Sequence, residues 1–345
     1  MDEPSTTLGV NSAHLVGWRP MTQPSPTIDA DLDWFRTTFS GIVGNVEQVI
    51  RGKRETIELL TLCLVAEGHV LIEDVPGVGK TQLAKSLARS IEGEFQRIQF
   101  TPDLLPSDIT GVSIWNREAS RFEFQPGAIF ANIVVGDEIN RASPKTQAAL
   151  LEAMEERQVT VDGTTHLLPP PFMVVATQNP LEHEGTYPLP EAQLDRFMAR
   201  LSIGYPDRDT SLDILETHGE VSSLESLQPS IHAEDVLRLV RIGRTVHVSD
   251  GVRGYLTDLV EATRSHSELL LGASPRSALY LFRLAKARAA SRGEEYVTPD
   301  DLKAIAHPVL IHRMMLRPEA HMRGATIDRV LHDILERVRV PGAAR

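Results

Sequence analysis

A chain of 345 residues is longer than one hydrophobic core normally serves, so a large domain with a smaller companion is expected. Its 47 acidic against 35 basic residues leave a formal net charge of −12, which argues against a protein that coats nucleic acid by neutralising phosphates. With Cys63 as the single cysteine no disulfide can form within the chain, and its apolar neighbours mark it as a small buried hydrophobe.

Residues 1–27 are rich in Ser, Thr and Pro, with no cationic start and no apolar run of signal-peptide length. They read as a disordered leader, with Met21 a second candidate start. From there to about residue 205, strand-like apolar runs alternate with helix-like segments. Strands are expected at His69–Glu73, Phe95–Phe100, Ile133–Asp137, Phe172–Thr177 and Ala199–Ile203. Helices are expected between them at Arg54–Glu67, Thr81–Ile91, Pro144–Glu156 and Pro190–Arg196. This alternation predicts an α/β domain over 28–205, with a parallel five-stranded sheet that binds its ligand at the carboxyl ends of the strands.

After Tyr205-Pro206 the strand signal stops and a smaller all-helical domain is expected over 206–338, followed by a tail, 339–345. Amphipathic segments run over Ala233–Thr245, Asp250–His266, Pro275–Arg292, Pro299–His312 and Ala325–Val338. Ser249-Asp250, Ser274-Pro275 and Thr298-Pro299 supply helix starts, a capping residue before a good first-turn residue. The longest apolar stretch, Leu59–Ala66, is far too short to span a membrane.

The chemistry begins at EDVPGVGKTQL, Glu73 to Leu83, where a strand passes through a glycine-containing loop into a helix. A phosphate loop reads G-x-x-x-x-G-K-[ST], and its first glycine is here Asp74. Gly77 and Gly79 let backbone amides turn inward on an anion, and the helix adds its positive end. Val75, Pro76, Gly77, Val78, Gly79, Lys80, Thr81 and Gln82 are therefore read as the ATP- or ADP-binding loop. Lys80 would meet the β- and γ-phosphates, and the Thr81 hydroxyl a Mg²⁺ ion. In NIVVGDEINR a buried strand ends in Asp137, placed to support the same metal, and Glu138, placed to orient or deprotonate a water. In FMVVATQNP a further strand ends near Asn179, which could reach the γ-phosphate or that water.

These blocks, with LDRF at 194–197 and GASPRSAL at 272–279, resemble the MoxR branch of the AAA+ ATPases, from about Val46 to about Leu316. The resemblance implies Mg-dependent ATP hydrolysis by an oligomer, taken as a hexameric ring, that remodels or matures partner proteins, for example by cofactor insertion. It implies a client with a von Willebrand factor A-type domain, while the single cysteine, Cys63, suits a reducing cytoplasm. It assigns Glu138 as the catalytic carboxylate, Asn179 as a first sensor and Arg196 as an arginine finger inserted into a neighbour's site, with Arg200 competing. Arg276 would be a second sensor coupling the helical lid to the γ-phosphate, and Val49–Gly52 would pack on adenine. Two insertions, Leu104–Pro126 and Gln158–Leu168, read as hairpins of the kind that face the pore of related rings and grip substrates. His183, between two glutamates, lacks a second ligand at metal spacing. A nucleic-acid motor and a nucleotide-switched scaffold stand as alternatives, the first disfavoured by charge and the second by the complete hydrolytic set.

Overall fold

The computed structural model describes residues 26–180, 185–217 and 223–342. Most of the leader, His183 and the last three residues lie outside them. The described residues begin with α1 (Pro26–Glu47) and α2 (Arg54–Val65), then β1 (Val70–Glu73), α3 (Lys80–Ser90) and β2 (Phe95–Gln99). The first insertion contains α4 (Pro106–Thr110), β3 (Gly111–Asn116) and β4 (Arg121–Pro126). After β5 (Ile133–Asp137) and α5 (Pro144–Glu156) comes the second insertion, β6 (Gln158–Val161) and β7 (Thr164–Leu167). The α/β part ends with β8 (Met173–Gln178), α6 (Glu191–Leu194) and β9 (Ala199–Leu201).

The five main strands lie in the order β2-β5-β8-β1-β9, all parallel. Strands apolar on both faces occupy the middle: Val70 and Ile72 join one core, while Leu71, between them, joins the other. Each buried aliphatic side chain contributes roughly 1.5–3 kcal/mol, which outweighs any preference these strands have for an edge. One face packs on α1, α2 and α3, and the other on Leu150, Leu151 and Met154 of α5. At the β2 edge the sequence FQRIQ leaves Arg97 and Gln99 exposed.

Helix α1 is absent from the sequence-based expectation, although Leu32, Phe35, Phe39, Ile42, Val43 and Val46 follow helical spacing and are all buried. Its start at Pro26 falls two residues inside the expected leader. The first insertion is also corrected: a turn of helix, α4, precedes the hairpin, which begins only at Gly111. In the second, Asp162 (φ +50°) and Gly163 (φ +78°) form the tight turn that their residue types predict. Phe124 stacks on His166 with ring centroids 3.8 Å apart, tying the two hairpins together.

Beyond residue 205 lie α7 (Arg208–Thr217), α8 (Ser223–Ser226), α9 (Ala233–Thr245), α10 (Asp250–Ser265), α11 (Pro275–Ser291), α12 (Pro299–Leu310), α13 (Pro318–Met322) and α14 (Ile327–Arg337). This region is not wholly helical, because β10 (Leu269–Leu271) pairs antiparallel with β11 (Met315–Leu316). Two strands of two or three residues carry too little alternation to register as a pattern. The helices share one continuous core with α1 and α2, so the lid is packed on the back of the sheet rather than held apart.

Candidate nucleotide site

Between β1 and α3 the chain passes through Gly77 (φ +84°) and Gly79 (φ +90°), conformations that disfavour any side chain. A Cβ added at Gly77 would meet no protein atom within 4 Å, so the space before the loop is an open cradle. Helix α3 has neither a side-chain cap nor an acidic residue in its first turn. By contrast α5, α10, α11, α12 and α14 are capped by Ser143, Ser249, Ser274, Thr298 and Thr326. Uncapped first-turn amides at the positive end of an 11-residue helix call for an anion, and the cradle supplies the room for it. Ile50, in the segment expected beside adenine, comes within 3.8 Å of a Cβ placed at Gly79.

Lys80 heads the helix, and its Nζ donates to the carbonyls of Asp74 (2.6 Å) and Gln178 (3.3 Å), at the ends of β1 and β8. Burial lowers its pKa, and the charges of Asp74, Asp137 and Glu138 oppose that shift. Asp137 Oδ1 accepts from Thr177 Oγ1 (2.6 Å), and Oδ2 from both Nη2 (2.6 Å) and Nε (3.1 Å) of Arg97. Glu138 adopts φ +59°, a strained position for a residue with a Cβ, of the kind that concentrates at functional sites. Its amide donates to Thr177 Oγ1 (3.0 Å), and its carboxylate accepts from Gln99 (2.9 Å) and pairs with Arg141 (3.2 Å). Asn179 follows β8 and is buried.

Thus Lys80, Asp137 and Glu138 converge at the carboxyl ends of β1 and β5, with Asn179 just beyond β8. Arg97, Gln99 and Thr177 join the site with no role assigned to them by a sequence motif. Their only trace is the alternation that puts Arg97 and Gln99 on one face of a polar edge strand. The hydroxyl of Thr81 and the carboxylate of Asp137 are hard oxygen donors suited to Mg²⁺. Among the described residues no cluster of three or more His, Cys, Asp or Glu could hold a metal alone, so an ion here would share phosphate and water oxygens.

The two remaining arginines lie at the opposite end of the sheet. Arg196 comes three residues before β9, whose Ala199 pairs in register with Val70 at the start of β1. The four residues of β1, about 13 Å of extended chain, separate that end from the phosphate loop. Arg196 lines a polar cleft of about 300 Å³ with Glu67, His69, Arg157, Arg244 and Tyr280. Arg276 reaches the same end, where its Nη2 donates to Glu155 at the close of α5 (2.7 Å). It is therefore not beside this chain's own phosphate loop. Arg200 is paired with Glu73 (2.9 Å), which occupies the competing finger candidate.

A strand–loop–helix anion cradle, a carboxylate pair on the neighbouring strand and a helical lid define an ATPase of the AAA class. The model of the ATPase family associated with various cellular activities (AAA) matches residues 69–199, and that of the AAA lid domain residues 261–334. YeaC of Bacillus subtilis is 50% identical over 299 residues, covering 87% of this chain and 93% of its own. The chaperone MoxR1 of Mycobacterium tuberculosis is 39% identical over 313 residues, 88% of this chain and 82% of that one. A crystal structure from Cytophaga hutchinsonii, provisionally named an ATPase, superposes with a TM-score of 0.85 at 38% identity, covering 91% and 98% of the two chains. The chain belongs to the MoxR-type AAA+ ATPases, and it hydrolyses ATP. Among the described residues no helix is long and apolar enough to cross a membrane.

Proposed function

We propose that this ATPase is a chaperone-like ring, taken as a hexamer, whose catalytic sites are shared between neighbouring subunits and whose hydrolysis remodels or matures a client protein. The observation that carries the reading is the division of the site's residues between two ends of one sheet. The phosphate loop, Asp137, Glu138 and Asn179 sit at the carboxyl ends, and Arg196 and Arg276 sit at the other. A cation that stabilises charge developing on a transferred phosphoryl group is worth on the order of 10³–10⁵ in rate. Within the subunit Arg97 and Arg141 are engaged by Asp137 and Glu138, so in this reading the further cation comes from a head-to-tail neighbour.

In this reading the inward amides of 75–82 hold the phosphates, and Lys80 leaves the Asp74 and Gln178 carbonyls for the β- and γ-oxygens. Mg²⁺, held through Thr81 and Asp137, would neutralise charge on those oxygens. Glu138 sheds its contacts with Gln99 and Arg141 and takes the proton of the water that attacks the γ-phosphorus, while Asn179 orients that water. Arg196, and Arg276 once free of Glu155, act from the adjoining subunit. The hairpin β3–β4 presents Trp115 and Phe122, 49% and 69% exposed, as a surface for the client. That client is expected to carry a von Willebrand factor A-type domain, and cofactor insertion is the form of maturation the family suggests. The proposed setting is cytoplasmic, and the −12 charge supports a protein client over nucleic acid.

Two variants test the chemistry. Lys80→Ala is expected to lose ATP binding, whereas Glu138→Gln keeps it and turns over at least about tenfold more slowly. Ordinary turnover in purified Glu138→Gln would remove the role given to that carboxylate. The ATP-loaded Glu138→Gln protein is also the bait for capturing the client.

A further inference from the structure

The residue that breaks the phosphate-loop pattern is tied into the fold more tightly than any glycine could be. Asp74 is 8% exposed and accepts four hydrogen bonds. Its Oδ2 takes Ser202 Oγ (3.0 Å) and the amides of Ile203 and Gly204 (2.7 Å each), and its Oδ1 takes the amide of Val75 (2.9 Å). Only a carboxylate, with two acceptor oxygens and no N–H, serves all four donors. Burial pushes the carboxyl pKa up, and these donors more than reverse it, so the group stays ionised below the usual carboxylate range.

We propose that Asp74 is a positioning residue for the nucleotide, latching the segment after β9 to the mouth of the phosphate loop and so fixing the wall against which the nucleoside rests. This rests on the nucleotide reading of the site. The contacts form a closed circuit around the cradle. From Gly204 the chain reaches Tyr205, whose carbonyl accepts from Lys53 Nζ (2.8 Å). Asp207 then caps α7 through the Thr210 amide (2.8 Å). Thr210 lies against Gly52, where a Cβ would meet its hydroxyl at 2.8 Å, and Ile50 closes on Gly79. The Asp74 backbone completes the loop side, its amide donating to the Gln178 carbonyl (3.3 Å) and its own carbonyl holding Lys80 (2.6 Å). Opening the latch leaves the Ile203 and Gly204 amides unpaired and lets the wall drift from the loop. Displacements near 1 Å are enough to weaken a preorganised site.

Asp74→Gly, which restores the common loop pattern, should therefore bind nucleotide worse. The probe is ADP, titrated calorimetrically at 25 °C into full-length wild type, Asp74→Gly, Asp74→Asn and Ser202→Ala. Kd is expected to rise about tenfold for Asp74→Gly and about threefold for Asp74→Asn, whose one oxygen serves the Oδ2 donors while its amide faces Val75 N–H. KM for ATP should rise in parallel, with kcat at saturation within about twofold of wild type, the mark of lost ground-state positioning rather than lost chemistry. A folded Asp74→Gly with wild-type Kd and only a lower melting temperature would overturn the latch. If Asp74→Gly does not fold, the pair Asp74→Asn and Ser202→Ala decides, since partners in one latch give a less than additive loss in the double variant and independent sites an additive one. A wild type that does not bind ADP would overturn the nucleotide reading, whereas wild-type binding with an unaffected Asp74→Gly overturns the latch alone.

Discussion

Arg313 offers a test of how the lid holds the arginine presented to a neighbour. Its side chain, 2% exposed, enters from the turn after α12 and grips the segment on either side of Arg196. It donates to Asp195 Oδ1 (2.8 Å), to the carbonyls of Asp195 (3.0 Å) and Met198 (3.4 Å), and to those of Phe197 and Val309. Ser274 Oγ also donates to Asp195 (2.8 Å), and Tyr280 OH to the Arg196 carbonyl (3.1 Å). Arg313→Met keeps most of the volume and removes every donor, leaving Asp195 with Ser274 and several carbonyls short of a partner. Breaking such a buried pair costs about 3–5 kcal/mol, a large share of the roughly 5–15 kcal/mol that holds a domain together. Urea unfolding at 25 °C should show that loss. Turnover of the folded variant should fall further than its folded fraction, because Arg196 loses its support, while ADP binding at the far end of the sheet persists. A stability loss below about 1 kcal/mol, or turnover that merely tracks the folded fraction, would refute the clamp.

Three further outcomes are expected. Lys80→Ala and Arg196→Ala, each inactive alone, should regain ATPase activity when mixed, because some interfaces then pair an intact loop with an intact finger. Mixed oligomers that stay inactive, or normal turnover by Arg196→Ala alone, would move the finger elsewhere. His69 is buried between the Met154 carbonyl (3.0 Å) and the Val174 amide (2.9 Å), and burial lowers its pKa from 6.5 to about 4. In that window the unfolded chain binds a proton that the folded one refuses, so stability falls by about 3 kcal/mol as pH drops from 6.5 to 4. His312, also held neutral by burial, adds to the same trend, and a stability that stayed flat on acidification would contradict both placements. Finally, fluorescence anisotropy should detect no salt-sensitive micromolar complex with single- or double-stranded DNA, as the −12 charge requires. Such a complex would favour the nucleic-acid motor.

The parts of this protein that local sequence determined are those whose physics is local. Strand, glycine turn and helix follow one another at Val70–Glu73, Gly77–Gly79 and Lys80–Ser90, and each residue type answers to its own backbone or to the helix end beside it. The doubly apolar strands announced a parallel sheet because burial on both faces leaves no polar alternation. Expected and observed helices agree at Ala233–Thr245, and differ by a single residue at the end of Asp250–Ser265, where caps and amphipathic spacing coincide. Helix α1 carries the same local signal in the helical spacing of Leu32, Phe35, Phe39, Ile42, Val43 and Val46. What only the tertiary structure decided are relations between residues far apart in the chain. The register of β2 on β5 sets Arg97 beside Asp137, and that of β9 on β1 brings residues 202–204 to Asp74. The packing of α11 and α12 on the back of the sheet turned Arg276 toward Glu155 and enclosed the Arg196 segment with Arg313. Those outcomes depend on which surfaces close on one another over 40 to 130 positions, and a sequence window senses only the neighbours that share its own helix or strand.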